Sequence, residues 1–123
     1  MSIIIYGLQR CDTCKKTRRW LDAAGITHTF IDYRDSVPAP DLLNAWAAQR
    51  GGFNALINKA STTWRQLPEN LKTPANNEAW LSLLSNNPAL IRRPVLVMEN
   101  GIIHQGFSED RYKTLFSKRD FLE

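Results

Sequence analysis

The sequence predicts an α/β fold in the order βαβ, a block of helices, then ββα, and three observations carry that prediction. First, the β-branched run Ile3-Ile4-Ile5-Tyr6 is followed by helix-spaced apolar residues and then an alternating run, the pattern of a βαβ unit. Second, the middle of the chain repeats helical spacing between Pro and Gly punctuation. Third, Asn100-Gly101 separates two strand-like runs, a strong hairpin signal.

Each element has its own local cause. Ile3 to Tyr6 is too short for a helix and suits a buried strand, with Gly7 to Cys11 as the loop that follows. From Asp12 or Thr13, the residues Thr17, Trp20, Leu21 and Ala24 share one helical face, and Gly25 stops the helix. Thr27 to Tyr33 alternates and is rich in β-formers, giving a second strand. After Pro38 and Pro40, Asp41 is placed to cap a helix carrying Leu42, Leu43, Trp46 and Ala47, closed by Gly51-Gly52. Phe53 to Ile57 allows another turn or two, Asn58 to Thr63 reads as loop, and Trp64 to Leu71 fits either loop or short helix. Asn76/Asn77 opens a helix through Trp80, Leu83 and Leu84 that halts near Asn86-Asn87-Pro88. Pro94 to Met98 and Ile102 to Gln105 form the hairpin, and Ser108 caps a last helix through Tyr112, Leu115 and Phe116, with Glu109 and Asp110 favoured by the dipole in its first turn.

At 123 residues, with 43% hydrophobic and 23% charged residues, the composition is that of one folded domain able to bury its own core, and it argues against disorder. The start lacks a basic leader and a long apolar run, and nothing later approaches a membrane span, so the expectation is a cytoplasmic protein with no membrane partner. A formal charge of +4 admits a nucleic-acid partner, yet the basic residues are spread along the chain and interleaved with acids. The reading favoured is a solvated surface, with one local exception beside the cysteines.

Those two cysteines carry the chemistry. A bridge between Cys11 and Cys14 would close almost no loop, so their spacing points to reactivity rather than to a structural staple. A Cys-x-x-Cys beside a βαβ pattern is the mark of a thioredoxin-like redox pair. At a helix N-terminus, unpaired N–H groups and the dipole stabilise a thiolate, which makes Cys11 the expected nucleophile. Cys14 lies one turn further on the side bearing Thr17 and Leu21, suiting it to resolve a mixed disulfide. Arg10, Lys15, Lys16, Arg18 and Arg19 add positive charge nearby, and Asp12 offsets part of it. Zinc binding is the rival reading of such a pair, but it needs two more ligands, and neither His28 nor His104 has a partner at ligand spacing. Two unreactive cysteines remain the other alternative, and no cofactor motif is visible.

The chain resembles the ArsC/Spx family of thioredoxin-like proteins over nearly its full length. The resemblance rests on Ile5-Tyr6-Gly7, Cys11-Asp12-Thr13-Cys14-Lys15-Lys16, Asp32-Tyr33-Arg34, Thr62-Thr63-Trp64-Arg65, Ile91-Arg92-Arg93-Pro94-Val95-Leu96 and Gly106-Phe107-Ser108. It is strongest to the YffB-like branch. What it implies is one thioredoxin-like domain over 1–123, a four-stranded mixed sheet with a helical insertion over roughly 39–87. Pro94 opens a strand at an X-Pro bond, where a cis peptide is least costly, and is the candidate cis proline; a trans proline that merely starts the strand is the alternative. By resemblance Pro94 sits against the cysteine loop and Arg93 points at the thiolate, lowering its pKa or binding an anionic thiol such as glutathione. Arg10, Asp12 and Thr13 around Cys11 are the further candidates for substrate contact. Trp64 and Arg65 suit a peptide-like ligand, although a core tryptophan and a surface arginine explain them equally well. Trp20, Trp46 and Trp80 read as packing residues.

The resemblance also carries departures. Arsenate reductases of the family surround the nucleophile with three arginines, of which only Arg93 has a clear counterpart; Asn58 and the stretch His104-Gln105-Gly106-Phe107 stand at the other two places. An oxyanion site without two guanidinium forks should bind arsenate poorly. Three functions follow as expectations. The first is a thiol-disulfide oxidoreductase with glutathione as co-substrate and glutathione or protein thiols and disulfides as partners. The second is an Spx-like redox-sensing regulator that binds RNA polymerase, and the third is an arsenate reductase.

Overall fold

The computed structural model describes residues 2–122, with side chains through residue 117. Four strands, β1 (Ile3–Gly7), β2 (His28–Asp32), β3 (Val95–Val97) and β4 (Ile103–Gln105), form one mixed sheet in the order β2-β1-β3-β4. β1 and β2 run parallel, joined by helix α1 (Asp12–Ala23), with Ile5 opposite Phe30. β3 lies antiparallel to both β1 and β4, so the hairpin predicted at Asn100-Gly101 is present. Gly101 takes the left-handed conformation its turn requires, φ 87°.

Between β2 and β3 in sequence come α2 (Pro40–Arg50), α3 (Phe53–Leu56), α4 (Thr62–Arg65), a 3-10 turn at Glu69–Leu71, α5 (Asn77–Asn86) and a second 3-10 turn at Pro88–Leu90. The last helix, α6, spans Glu109–Leu122. Its start is capped as predicted, Ser108 Oγ accepting from the Arg111 N–H at 3.3 Å. Asn76 likewise caps α5, its Oδ1 accepting from Ala79 N at 2.9 Å.

Two expectations are corrected. Asp41 is not the cap of α2: Pro40, which lacks an N–H and has φ already set, takes the first helical position, leaving Ala39 as the cap and Asp41 in the first turn. The segment read as loop up to Thr63 turns helical at Thr62, because Ser61 Oγ accepts from Trp64 N at 3.2 Å and starts α4. Trp64 therefore belongs to a short helix, and Gln66 ends it.

Strand alternation divides the core into two layers. Ile3, Ile5 and Leu96 face one way and pack with Leu21 of α1 and with Tyr112 and Phe116 of α6. Val95 and Ile103 face the other way, onto α2, α3 and α5 through Trp46, Leu56 and Leu84. Trp46 is almost fully buried, at 1% exposure, and Trp20 and Trp80 pack edgewise or stacked on Tyr112 and Phe53, as packing residues do. Ala24 is exposed and serves as the α1 cap instead of facing the core.

Candidate active site

The site lies where β1 ends and α1 begins. Gly7 closes the strand, Leu8 is buried, and the Cys11 N–H donates to the Leu8 carbonyl at 3.2 Å, tightening the loop. Cys11 is the N-cap of α1 in extended conformation, φ −85° and ψ 123°, with no side-chain cap bond. Its Sγ therefore stands before the N–H groups of the first turn.

Both cysteines are free thiols, but they occupy different surroundings. Cys11 is partly exposed, and Cys14 is completely buried with Thr17 and Leu21 on the inner face of α1. Gly7 makes room for Cys14: a Cβ at position 7 would lie 2.5 Å from the Cys14 Sγ. For Cys11, burial is the largest single influence and opposes ionisation, yet it is outweighed. Hydrogen bonds from the Cys14 N–H and thiol, together with the hydrogen bond and positive charge of Arg93, hold the Cys11 pKa below its ordinary value. For Cys14, burial dominates and pushes the thiol up to about 12, with the neighbouring Cys11 adding to the rise.

Arg93 reaches this point from the opposite wall. The Arg93-Pro94 bond is cis, Pro94 is buried, and β3 starts one residue later. The guanidinium is held from behind, Nη1 donating to the Ala89 carbonyl at 3.0 Å. Its charge also acts on the buried Tyr33 hydroxyl, which donates to the Ile91 carbonyl at 2.8 Å. Burial drives the Tyr33 pKa up to about 12, so the phenol stays neutral beside the guanidinium.

Two residues that sequence reasoning left without a role shape the site. Tyr33 joins the end of β2 to the segment carrying Arg93, a contact 58 residues apart in sequence. Asp32 accepts from the Gln9 N–H at 3.0 Å and from the Arg34 N–H at 2.9 Å, pinning the loop before Cys11. Asp32-Tyr33-Arg34 was visible as a matching run, and that run was the only signal.

A groove of about 380 Å3 opens over Cys11, lined by Leu8, Gln9, Arg10, Cys11, Asp32, Arg34, Asp35 and Arg93. Arg10 lies in the groove. Asp12 and Thr13 are exposed in the first turn of α1 and do not line it. Trp64 is half-buried against the same core layer that Cys11 touches, with Lys59 Nζ 5.3 Å from its ring centre. Arg65 is exposed, and neither residue reaches the groove. The places of the two missing family arginines are otherwise employed. Asn58 Oδ1 accepts from Ala60 N at 3.0 Å, and buried Gln105 donates to the Leu56 and Arg92 carbonyls at 2.9 and 3.0 Å. Among the described residues no group of three or more His, Cys, Asp or Glu side chains is arranged to hold a metal ion.

A mixed four-stranded sheet with parallel β1 and β2, a cysteine pair at the start of the helix between them and a cis proline opposite define a thioredoxin-like protein. Within that class the chain belongs to the ArsC family, whose model matches residues 6–115. It is similar to an uncharacterized protein of Haemophilus influenzae, 40% identical over 94% of this chain and 99% of that one. It is also similar to the global transcriptional regulator Spx of Streptococcus mutans, 29% identical over 90% of this chain and 80% of that one. Among solved structures, a YffB protein superposes with a TM-score of 0.81 and 34% identity, covering 92% of this chain and 97% of that one.

Proposed function

We propose that this protein is a thiol-disulfide oxidoreductase linked to glutathione, with Cys11 as nucleophile and Cys14 as resolver. The observation that carries the proposal is the opposed tuning of the two thiols. Cys11 is open to the groove and its thiolate is favoured by Arg93, whereas Cys14 is buried and kept protonated. A thiolate that attacks and a thiol held back until a mixed disulfide forms are what a dithiol reductase needs.

Cys11 Sγ attacks a disulfide sulfur, the S–S bond breaks, and the departing sulfur leaves as a thiolate. Cys14 then gives up its proton and attacks the Cys11 sulfur, releasing the second thiolate and leaving a Cys11–Cys14 disulfide. Two thiols, such as glutathione, return the pair to its reduced form. The groove favours a zwitterion over a simple oxyanion, since Arg10, Arg34 and Arg93 share its lining with Asp32 and Asp35. Glutathione carries an ammonium and two carboxylates and matches that mixture of charges, whereas arsenate would meet two carboxylates and a single cysteine-directed guanidinium.

The similarity to Spx supports a second reading, a redox-sensing regulator that contacts RNA polymerase. The two readings part on turnover. A model disulfide with glutathione should be reduced catalytically, and Cys11→Ser should abolish it. Full activity of that variant would refute the enzyme, and a partner bound only by the oxidised or only by the reduced protein, without turnover, would favour the sensor.

A further inference from the structure

A second cleft adjoins the groove over Cys11. It measures about 490 Å3 and runs between the loop after β2, the start of α4 and the end of α5. Arg34 lines both depressions. Their other link is Arg93, which lines the groove and is bonded to the carbonyl of Ala89, a wall of the second cleft. The two depressions therefore meet at Arg34, and Cys11 lines the first of them.

The volumes decide what such a surface accommodates. Clefts of roughly 300–1,000 Å3 each take a ligand of drug size, so the first alone suffices for a tripeptide thiol and leaves the second unfilled. The second has a different chemistry from the first. Apart from the shared Arg34 it carries no charge: Thr63, Ser85, Asn86 and Asn87 offer neutral hydrogen-bonding groups, and Val37, exposed at 42%, supplies apolar surface. Neutral donors and acceptors beside an apolar patch suit a peptide backbone with a small apolar side chain better than another charged small molecule.

We propose that the substrate disulfide is borne by a polypeptide, whose chain next to the attacked cysteine lies in this second cleft while its sulfur is joined to Cys11. The proposal rests on the oxidoreductase reading and adds its substrate class. In the first step Cys11 forms a bond to the polypeptide sulfur and the partner sulfur leaves as a thiolate. Cys14 then displaces the polypeptide as its thiol, and a low-molecular-weight thiol such as glutathione re-reduces the pair, so two electrons pass from thiol to polypeptide.

The test compares two probes, both mixed disulfides with thionitrobenzoate. One is a single N-acetylated cysteine amide, and the other is a peptide with neutral residues, including valine, on either side of its cysteine. Release of thionitrobenzoate by the reduced full chain is followed by absorbance. The peptide is expected to react with at least about tenfold higher kcat/KM, because binding remote from the sulfur is used in the transition state. In Ser85→Trp or, separately, Asn86→Trp, both at exposed positions of α5, the ratio of peptide to single residue should fall towards one. Equal rates for the two probes in the unmodified protein, or a ratio that survives both filled-cleft variants, would overturn the proposal. Undiminished release from both probes by Cys11→Ser would instead refute the oxidoreductase reading on which it rests.

Discussion

At the scale of single residues, the account turns on how differently the fold treats two identical side chains three positions apart. Cys11 keeps a partly exposed Sγ facing Arg93, and Cys14 is sealed behind Gly7. Cys14→Ser should therefore react with a model disulfide but accumulate the mixed disulfide on Cys11, visible as the added mass of one substrate half. The unmodified protein should pass to the internal disulfide and show no such adduct at completion; an adduct of equal lifetime in both would remove Cys14 from the resolving role. Much of this pair was legible beforehand. Local spacing places Cys11 at a helix start and Cys14 on its inner face, because both facts follow from helical periodicity. Tyr33 was not legible, since its bond to the Ile91 carbonyl depends on packing across the sheet, and no local pattern encodes a partner so distant in sequence.

At the scale of elements, the site depends on two junctions: the β1-to-α1 loop and the turn that carries Arg93 into β3. The first junction works only if the backbone at position 7 can approach the Cys14 sulfur. Gly7→Ala should cost about 1–3 kcal/mol, since the added methyl overpacks a filled site between Cys14 and Phe30. Urea unfolding measures this, and a variant as stable as the parent would show that the contact is not tight. The second junction is fastened by Gln105, whose Nε2 bonds the Leu56 and Arg92 carbonyls and so ties α3 and the residue before Arg93 to β4. The strands and long helices were legible because period and punctuation agree. The short α4 was hidden, because four helical residues lack a period and only the Ser61 cap marks them.

At the scale of the whole molecule, the buried acids make folding sensitive to alkali. Cys14 ionises at about 12 when folded against about 8.5 unfolded, and Tyr33 at about 12 against about 10. Burial raises Tyr112 in the same direction. Between those values the unfolded chain has released protons that the folded one retains, so it binds fewer protons and stability falls as pH rises. The stability these groups confer is complete below about pH 8.5 and is lost towards the folded values. Denaturant unfolding of the reduced protein should weaken progressively above about pH 8.5, and in Cys14→Ala the decline should begin only near about pH 10. An unchanged onset in that variant would mean that another group governs the decline. Cys11 is shifted the opposite way, and it is the group on which the proposed function depends. The most direct test is the pH dependence of Cys11 alkylation by iodoacetamide, located by peptide mass analysis, in the unmodified protein and in Arg93→Met. The account predicts an inflection for Cys11 below about 8.5 that moves upward in Arg93→Met, with Cys14 unlabelled in the folded state. An inflection at or above that value, the same in both proteins, or labelling of Cys14 ahead of Cys11, would contradict it.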